Sequence, residues 1–427
     1  MLQLSFIREN KELTIKGLYK KRVKNPEQII EDLLALDNKR RETQAERDGV
    51  LARSNSISKE IGGLMKAGKK EEAEALKAET PVLKAREKEL TELLNDYEEK
   101  LTQMLYQIPN LPHESVPEGA GAEDNEVVFV SSNAQNLPVL GENALPHWDL
   151  IKKYDIIDFD LGVKISGAGF PVYKGKGARL QRALVNFFLD EAIKAGYTEI
   201  QPPIVVNEDS GYGTGQLPDK EGQMYFINAD GLYLIPTAEV PITNLYRDVI
   251  VKNEDLPIKN VGFTPCFRRE AGSWGAHVRG LNRLHQFDKV EIVQITKPEE
   301  SYQTHQAMCD YVASLLEKLE LPYRILRLCG GDISFNAALC HDFEVYSAAQ
   351  QRWLEVSSVS NFETFQANRL KLRYKDESGK TGLLHTLNGS ALALPRILAA
   401  LLENNQTAIG IKLPKIIHPY TGFEMIN

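Results

Sequence analysis

Between Pro26 and Ile108 the chain repeats one pattern twice. Positions 29, 33, 36, 40, 43, 47, 50, 54, 57, 61 and 64 alternate steps of four and three, and seven of the eleven are Ile29, Leu33, Leu36, Val50, Ile57, Ile61 and Leu64. The others are Arg40, Thr43, Arg47 and Ser54. A second run occupies 73, 76, 80, 83, 87, 90, 94, 97, 101, 104 and 108, where nine of eleven are apolar and only Thr80 and Glu87 break the stripe. Two heptad runs of matched length, joined by Lys66-Ala67-Gly68-Lys69, predict an antiparallel helical hairpin. Pro26 suits a first helical turn, with Asn25 as its N-cap. At 1.5 Å per residue, each roughly 40-residue helix would be about 60 Å long, too long to fold back on a compact core, so the pair should project as an arm.

From Pro109 the pattern changes. Pro109-Asn110-Leu111-Pro112 and Pro117-Glu118-Gly119-Ala120-Gly121 make 109–150 a turn-rich linker, with Val127-Val128-Phe129-Val130 as a candidate strand. The expected division is a helical arm at 1–110 and a second domain at 111–427. Residues 179–195 read as an amphipathic helix with Leu180, Leu184, Phe187, Phe188 and Ile193 on one face, stopped by Gly196-Tyr197. Strand-like runs follow at 232–235, 290–295 and 353–356, and 298–319 reads as a long helix. The alternation in Asp288-Lys289-Val290-Glu291-Ile292 suits an antiparallel sheet with one functional face. The class is therefore α+β, not a doubly wound parallel sheet. No GxGxxG opens a helix and there is no GxxxxGK[ST], so any nucleotide must be held without a phosphate-cradling glycine loop.

Composition narrows this little. The 427 residues are 42% apolar and 26% charged, which excludes a collagenous or wholly disordered chain. Charge is more informative once divided. The net charge is −8, but residues 1–110 carry 21 Lys/Arg against 20 Asp/Glu, while the remainder carries 30 against 39. The acidic excess thus belongs to the second domain. Within the arm, the stretch from Lys39 to Lys66 has seven basic and four acidic residues, and Lys16, Lys20, Lys21, Arg22 and Lys24 form another basic cluster. Pattern alone leaves both a solvated face and a nucleic-acid contact open. Four cysteines (Cys266, Cys309, Cys329, Cys340) without a CxxC pair suggest thiols in a reducing compartment rather than a disulfide framework. Cys340-His341 near Cys329 comes nearest to a metal pattern, and no zinc is expected. The N-terminus lacks a secretory h-region and no stretch reaches 18 uninterrupted apolar residues, so the expectation is a cytoplasmic protein with no membrane association.

Three segments carry candidate chemistry. Cys266-Phe267-Arg268-Arg269-Glu270-Ala271-Gly272-Ser273, a loop, and Leu284-His285-Gln286-Phe287-Asp288-Lys289-Val290-Glu291 read as a strand hairpin. Arg268 and Glu270, two apart, should share a face, as should Phe287 and Glu291. A guanidinium grips phosphate or carboxylate bidentately and an aromatic can stack on a base; spacing alone equally fits a surface ion pair and a core Phe. Leu387-Asn388-Gly389-Ser390 reads as strand and tight turn before an apolar helix whose single cation, Arg396, must snorkel or meet an anion. Thr237-Ala238-Glu239, between Pro236 and Pro241, is a polar trio suited to a small polar ligand.

In this order the segments resemble the three signature motifs of class II aminoacyl-tRNA synthetases: the helix ending at Gly196-Tyr197 with Pro202-Pro203, Phe267 to Phe287, and Asn388-Gly389-Ser390 to Arg396. With Glu355-Val356-Ser357-Ser358, the run from Asn361 to Arg369, and the helical hairpin in front, the whole chain resembles the seryl-tRNA synthetases of the bacterial and cytosolic type. The resemblance implies an antiparallel-sheet catalytic domain flanked by helices, a homodimer, and an arm that grips the long variable arm of tRNA(Ser), and of the selenocysteine tRNA. It implies ATP as substrate, Mg²⁺ with it, and no zinc. Arg268, Glu270 and Arg396 become the catalytic set. Serine falls to Thr237, Ala238, Glu239, Arg268, Glu291, Asn388 and Ser390. ATP falls to Arg268, Arg269, Glu270, Phe287, Glu355, Val356, Ser357, Ser358 and Arg396, with Glu355 and Ser358 at the metal. The implied reaction is attack of the serine carboxylate on the α-phosphate of ATP, then seryl transfer to the terminal ribose of the tRNA. The chain departs from the family pattern at Gly275-Ala276-His277-Val278, at Asn282, and at Ala391 and Leu394-Pro395. Two other readings fit a synthetase-like chain: a ligase loading an amino acid onto a carrier protein, and a non-catalytic coiled-coil RNA-binding paralogue.

Overall fold

The computed structural model describes residues 1–141, 144–271 and 279–427. The loop departures at 275–278 and the Gly272-Ser273 end of the first segment lie outside the described residues. Contacts divide the chain into two units: Leu2–Tyr19 with Val23–Pro109, and Asn110–Asn427 with Met1 and Lys20–Arg22.

The first unit contains α1 (Leu4–Glu9), α2 (Lys11–Lys20, whose last residue groups with the second unit), α3 (Pro26–Lys66) and α4 (Lys70–Gln107). Helices α3 and α4 pack against each other, and every position of both heptad runs is withdrawn from full exposure. Leu33, Ile57, Leu90, Leu94 and Leu101 are buried along the seam. Gly68 turns the corner at φ +75°, a value a side chain rarely tolerates. Asn25 does not cap as expected: it sits in the left-handed region and its side chain makes no capping bond, leaving Pro26 to start the helix. The polar seam position Arg40 also has a partner. Asp37 is fully buried and is held by Arg40 at 2.8 Å and by Arg8 of α1 at 2.7 Å.

The second unit is built on an eight-stranded sheet. Its strands are β1 (Glu126–Val130), β2 (Thr198–Glu199), β3 (Ile258–Phe267), β4 (Gln286–Thr296), β5 (Tyr323–Arg327), β6 (Leu339–Ser347), β7 (Arg352–Asn361) and β8 (His385–Ala393). The order is β1-β5-β6-β7-β8-β4-β3-β2, antiparallel throughout except for β2 beside β3. Helices α5 (Gly175–Lys194), α6 (Ser301–Lys318) and α7 (Leu394–Asn404) supply the core of one face. There Leu180, Leu184, Phe187, Phe188, Val312, Leu316 and Ile397 pack against Val290, Ile292, Phe343 and Val345. Ile193, expected on the same apolar face, is 48% exposed, while its neighbour Ala192 is the one buried in the core. Strand alternation turns Phe287, Lys289 and Glu291 toward the opposite face.

Two local expectations fail. Arg268 and Glu270 do not share a strand face, since β3 ends at Phe267 and Glu270 has φ +50°. No tight turn separates Asn388-Gly389-Ser390 from the helix, because β8 continues to Ala393 and enters α7 directly. No helix among the described residues is long and apolar enough to cross a membrane.

Candidate active site

The polar face of the sheet forms the floor of a cavity of about 590 Å³. One end of it is assembled from two strands and two short helices, Glu239–Asn244 and Thr364–Leu370. Glu291 of β4 lies opposite Ser390 of β8, and Asn388 follows one alternation away. Helix Glu239–Asn244 begins at the polar trio, with Thr237 and Glu239 almost inaccessible and Ala238 packed beneath.

The Asn388 amide nitrogen donates to Glu239 Oε2 at 2.8 Å and to Glu291 Oε1 at 2.9 Å. Gln366 donates to the other Glu239 oxygen at 2.6 Å. Lys289 Nζ donates to Thr237 Oγ1 at 2.9 Å and sits 2.5 Å from Glu291 Oε2, which Ser390 Oγ approaches at 3.5 Å. Two carboxylates thus share one buried chamber with one ammonium. Burial, and then the Glu291 charge, push the Glu239 carboxyl up to about 7. This chamber can accept donors from a small zwitterion and give few back.

Above the floor stand the groups suited to a nucleotide. Arg268 lies over the Phe287 ring at 5.2 Å, and its Nε reaches Pro236 O at 3.4 Å. Arg396 snorkels out of α7 to Glu355, donating to the backbone oxygen at 2.7 Å and to Oε2 at 3.3 Å, while its Nε donates to Asn282 O at 3.2 Å. Glu270 pairs with Arg283 across the hairpin. Of the expected set, Ala238 and Arg269 do not line the cavity: Ala238 is buried in an apolar cluster, and the Arg269 guanidinium lies 6.0 Å from the Tyr225 ring. Val356 and Ser357 line the wall, but Val356 packs into the core and Ser357 Oγ donates to Ser390 O at 2.6 Å.

Glu355 and Ser358 offer oxygen atoms at the rim. Ser358 Oγ is 3.0 Å from Cys340 Sγ, and Asp342 lies beside them on β6. Burial, and then Glu355, hold the Asp342 carboxyl well above its usual range. Clustered oxygen donors with crowded negative charge match the preference of Mg²⁺, a hard cation.

The return of the hairpin is braced from behind. Leu281 N donates to His147 Nε2 at 2.9 Å, and His147 is held at 2.7 Å by Glu403, on the same helix as Arg396. Gly169 has φ +83°, and a Cβ there would meet the His285 ring at 2.2 Å. Reading the sequence alone overlooked Lys289, Gln366, Asp342 and Arg283. Only Lys289 had a local signal, its place between Phe287 and Glu291 in the period-two alternation.

Comparison with known proteins adds lineage to this geometry. A model of the seryl-tRNA synthetase N-terminal domain matches residues 1–112, and one of the tRNA synthetase class II core domain (G, H, P, S and T) matches 225–405. A serine–tRNA ligase of Salinibacter ruber is 49% identical over 100% of this chain and 99% of its own. A seryl-tRNA synthetase of Pyrococcus horikoshii, solved with ATP, superposes with a TM-score of 0.93 at 33% identity, covering 100% of this chain and 99% of that one. A cytoplasmic serine–tRNA ligase of Naegleria fowleri, solved with AMP, gives 0.88 at 25% identity, with 100% and 99% covered.

Proposed function

The chain belongs to the seryl-tRNA synthetase family and is an ATP-dependent serine–tRNA ligase, and from that premise we propose how its cavity carries out the two steps. Serine enters the deep chamber with its α-ammonium toward Glu239 and Thr237, backed by Ala238. Its hydroxyl lies between Glu291 and Ser390, and its carboxylate turns up to Arg268. Asn388 holds the two carboxylates apart so that each meets a different donor of the substrate. The single observation that carries this reading is that amide, bonded at once to Glu239 and Glu291 on the cavity floor.

ATP lies above, its adenine over Phe287 with its amino edge at Glu270. Arg269, Val356 and Ser357 form the supporting shell through their backbone. Arg268 meets the α-phosphate and Arg396 the γ-phosphate. The serine carboxylate attacks the α-phosphate in line and pyrophosphate departs. The terminal ribose oxygen of the tRNA then attacks the seryl carbonyl, displacing AMP. No enzyme nucleophile is needed: positioning and fixed cations stabilise the charge that gathers in the transition state. Mg²⁺ held by Glu355 and Ser358 would add Lewis-acid screening of the phosphates. Alanine, lacking the hydroxyl, would leave Glu291 and Ser390 unmatched and is strongly disfavoured. Threonine is resisted mainly by shape, worth about 1–3 kcal/mol.

The tRNA falls to the arm. Lys39, Arg41, Lys59 and Lys66 are exposed on α3, whereas Arg40 and Arg53 are engaged by carboxylates within the arm. The basic cluster before α3 contributes less than its sequence suggested. Lys21 is half-buried, donating to Ala337 O at 2.9 Å, and desolvation lowers its ammonium to about 7; Arg22 donates to Gly119 O at 2.8 Å. Homodimerisation rests on edge strand β1, where Val127, Val128, Phe129 and Val130 are each 40–46% exposed, a liability a lone chain would avoid. The compartment that fits four free thiols is the cytoplasm.

The test is serine-dependent exchange of pyrophosphate into ATP, followed by charging of a tRNA with a long variable arm. Both are expected. Absence of exchange removes the assigned chemistry, and exchange without charging would return the carrier-ligase reading.

A further inference from the structure

On the side of the sheet away from the cavity, three side chains of ligand chemistry converge. Helix α6 presents His305 and, one turn later, Cys309; β6 presents His341. One ligand atom from each lies within 4.8 Å of the other two. His305 and Cys309 are 2% and 3% exposed, His341 is half-buried, and the two imidazoles are 5.0 Å apart.

The hydrogen bonding around the cluster leaves a ring nitrogen of each histidine without a protein partner. His305 Nε2 is 3.0 Å from Val359 O. A carbonyl can only accept, so Nε2 carries the proton and the Nδ1 lone pair is left as a donor atom. Metal-bound histidines are usually fixed in this way, through the remote nitrogen to a backbone carbonyl. His341 Nδ1 is buried and has no hydrogen-bond partner, a rare state for a ring nitrogen. Burial lowers both imidazoles, to about 4 and about 3, so each is in the neutral form that coordinates. Burial raises the Cys309 thiol, which an arriving cation would deprotonate.

We propose that His305, Cys309 and His341 bind one borderline-soft divalent cation of the Zn²⁺ class, fastening α6 to β6. Two nitrogens and a thiolate favour such an ion over Mg²⁺ and leave a fourth tetrahedral position for water. With bonds of about 2.0–2.3 Å, ligand atoms in such a site lie about 3.3–3.8 Å apart, so closure needs side-chain shifts of only about 1 Å. Arg327 sits opposite His341, but its charge is offset by Glu126. The Cys340-His341 dipeptide does not chelate as a unit. Adjacent strand residues point to opposite faces, and Cys340 faces Ser358.

The test is titration of the full-length, chelator-stripped, reduced chain with Co²⁺, an absorbing substitute for Zn²⁺. One equivalent should bind with a near-ultraviolet sulfur-to-cobalt charge-transfer band and be displaced by Zn²⁺. Cys309→Ser should abolish the band, and His341→Ala should weaken binding by about 10–100-fold or more, while Cys329→Ser changes neither. A wild-type chain without the band, or a band that survives Cys309→Ser, overturns the proposal. If Cys309→Ser does not fold, the half-buried His341 decides it: unchanged Co²⁺ affinity in His341→Ala overturns the site. The readout is independent of aminoacylation, so its failure leaves the ligase reading intact.

Discussion

The seam of the arm and the floor of the cavity are both enclosed, but by opposite means. Between α3 and α4, one apolar stripe repeats at heptad spacing, and its occasional polar members lie at the margins or find a local partner, as Arg40 finds Asp37 three residues away. On the cavity floor the enclosed groups are Glu239, Glu291, Lys289 and Asn388; Lys289 and Glu291 pair along one strand, but the other partners lie far off in sequence, Asn388 being 149 residues from Glu239 and 97 from Glu291. The seam gains by keeping water away from carbon. The floor suffers from the same exclusion and tolerates it because each enclosed polar group is hydrogen-bonded or ion-paired. Burial measures stability in the first region and readiness to bind in the second.

The severest way to break the comparison is to remove the seam altogether. Deleting residues 30–105 should abolish charging of tRNA while pyrophosphate exchange persists; charging that survives would show the arm has no role in tRNA binding. Next is Lys289→Met, which leaves two buried carboxylates without their ammonium. It should cost about 3–5 kcal/mol in denaturant unfolding, and a loss below 1 kcal/mol would mean the chamber is wetter than its burial indicates. Arg268→Ala and Arg396→Ala should each slow exchange by about 10²-fold or more with unfolding unchanged; near-normal exchange removes that residue from the site. Leu90→Ala, a cavity in a seam open along its edges, should cost about 2 kcal/mol and leave exchange untouched, so a slowed exchange would show the two regions to be coupled.

The smallest effect sharpens the contrast through pH. Folding raises the Glu239 carboxyl from 4.5 to about 7. The folded chain therefore holds that proton more tightly than the unfolded one. Its contribution to stability is fully present below about 4.5 and is lost as pH rises through about 7. Serine binding runs the other way, because only ionised Glu239 meets an ammonium. KM for serine should fall by up to about ten-fold between about pH 6 and pH 8. Glu239→Gln should flatten that profile and stabilise the fold at the upper end. A pH-independent KM in the parent chain would show that the carboxylate is already ionised throughout this range.

What the sequence alone determined was whatever repeats or reads out locally. The hairpin was visible because helical period and heptad spacing are properties of neighbouring residues, and the order of the three motifs named the family along with the identity of most cavity residues. Even there, local reading failed where a backbone changed course: at Glu270 beyond the end of β3, and at Asn388-Gly389-Ser390, a continuous strand where a turn was expected. Tertiary structure alone decided that Lys289 sits between Thr237 and Glu291, that Gln366 closes the far side of Glu239, and that the Lys21 ammonium is engaged by backbone carbonyls. It also brought His341 beneath His305 and Cys309. The reason is physical. A helix repeats with a period written in adjacent residues, whereas the face and register of a strand are set by packing against residues a hundred positions away, and the environment of each buried charge follows from that register.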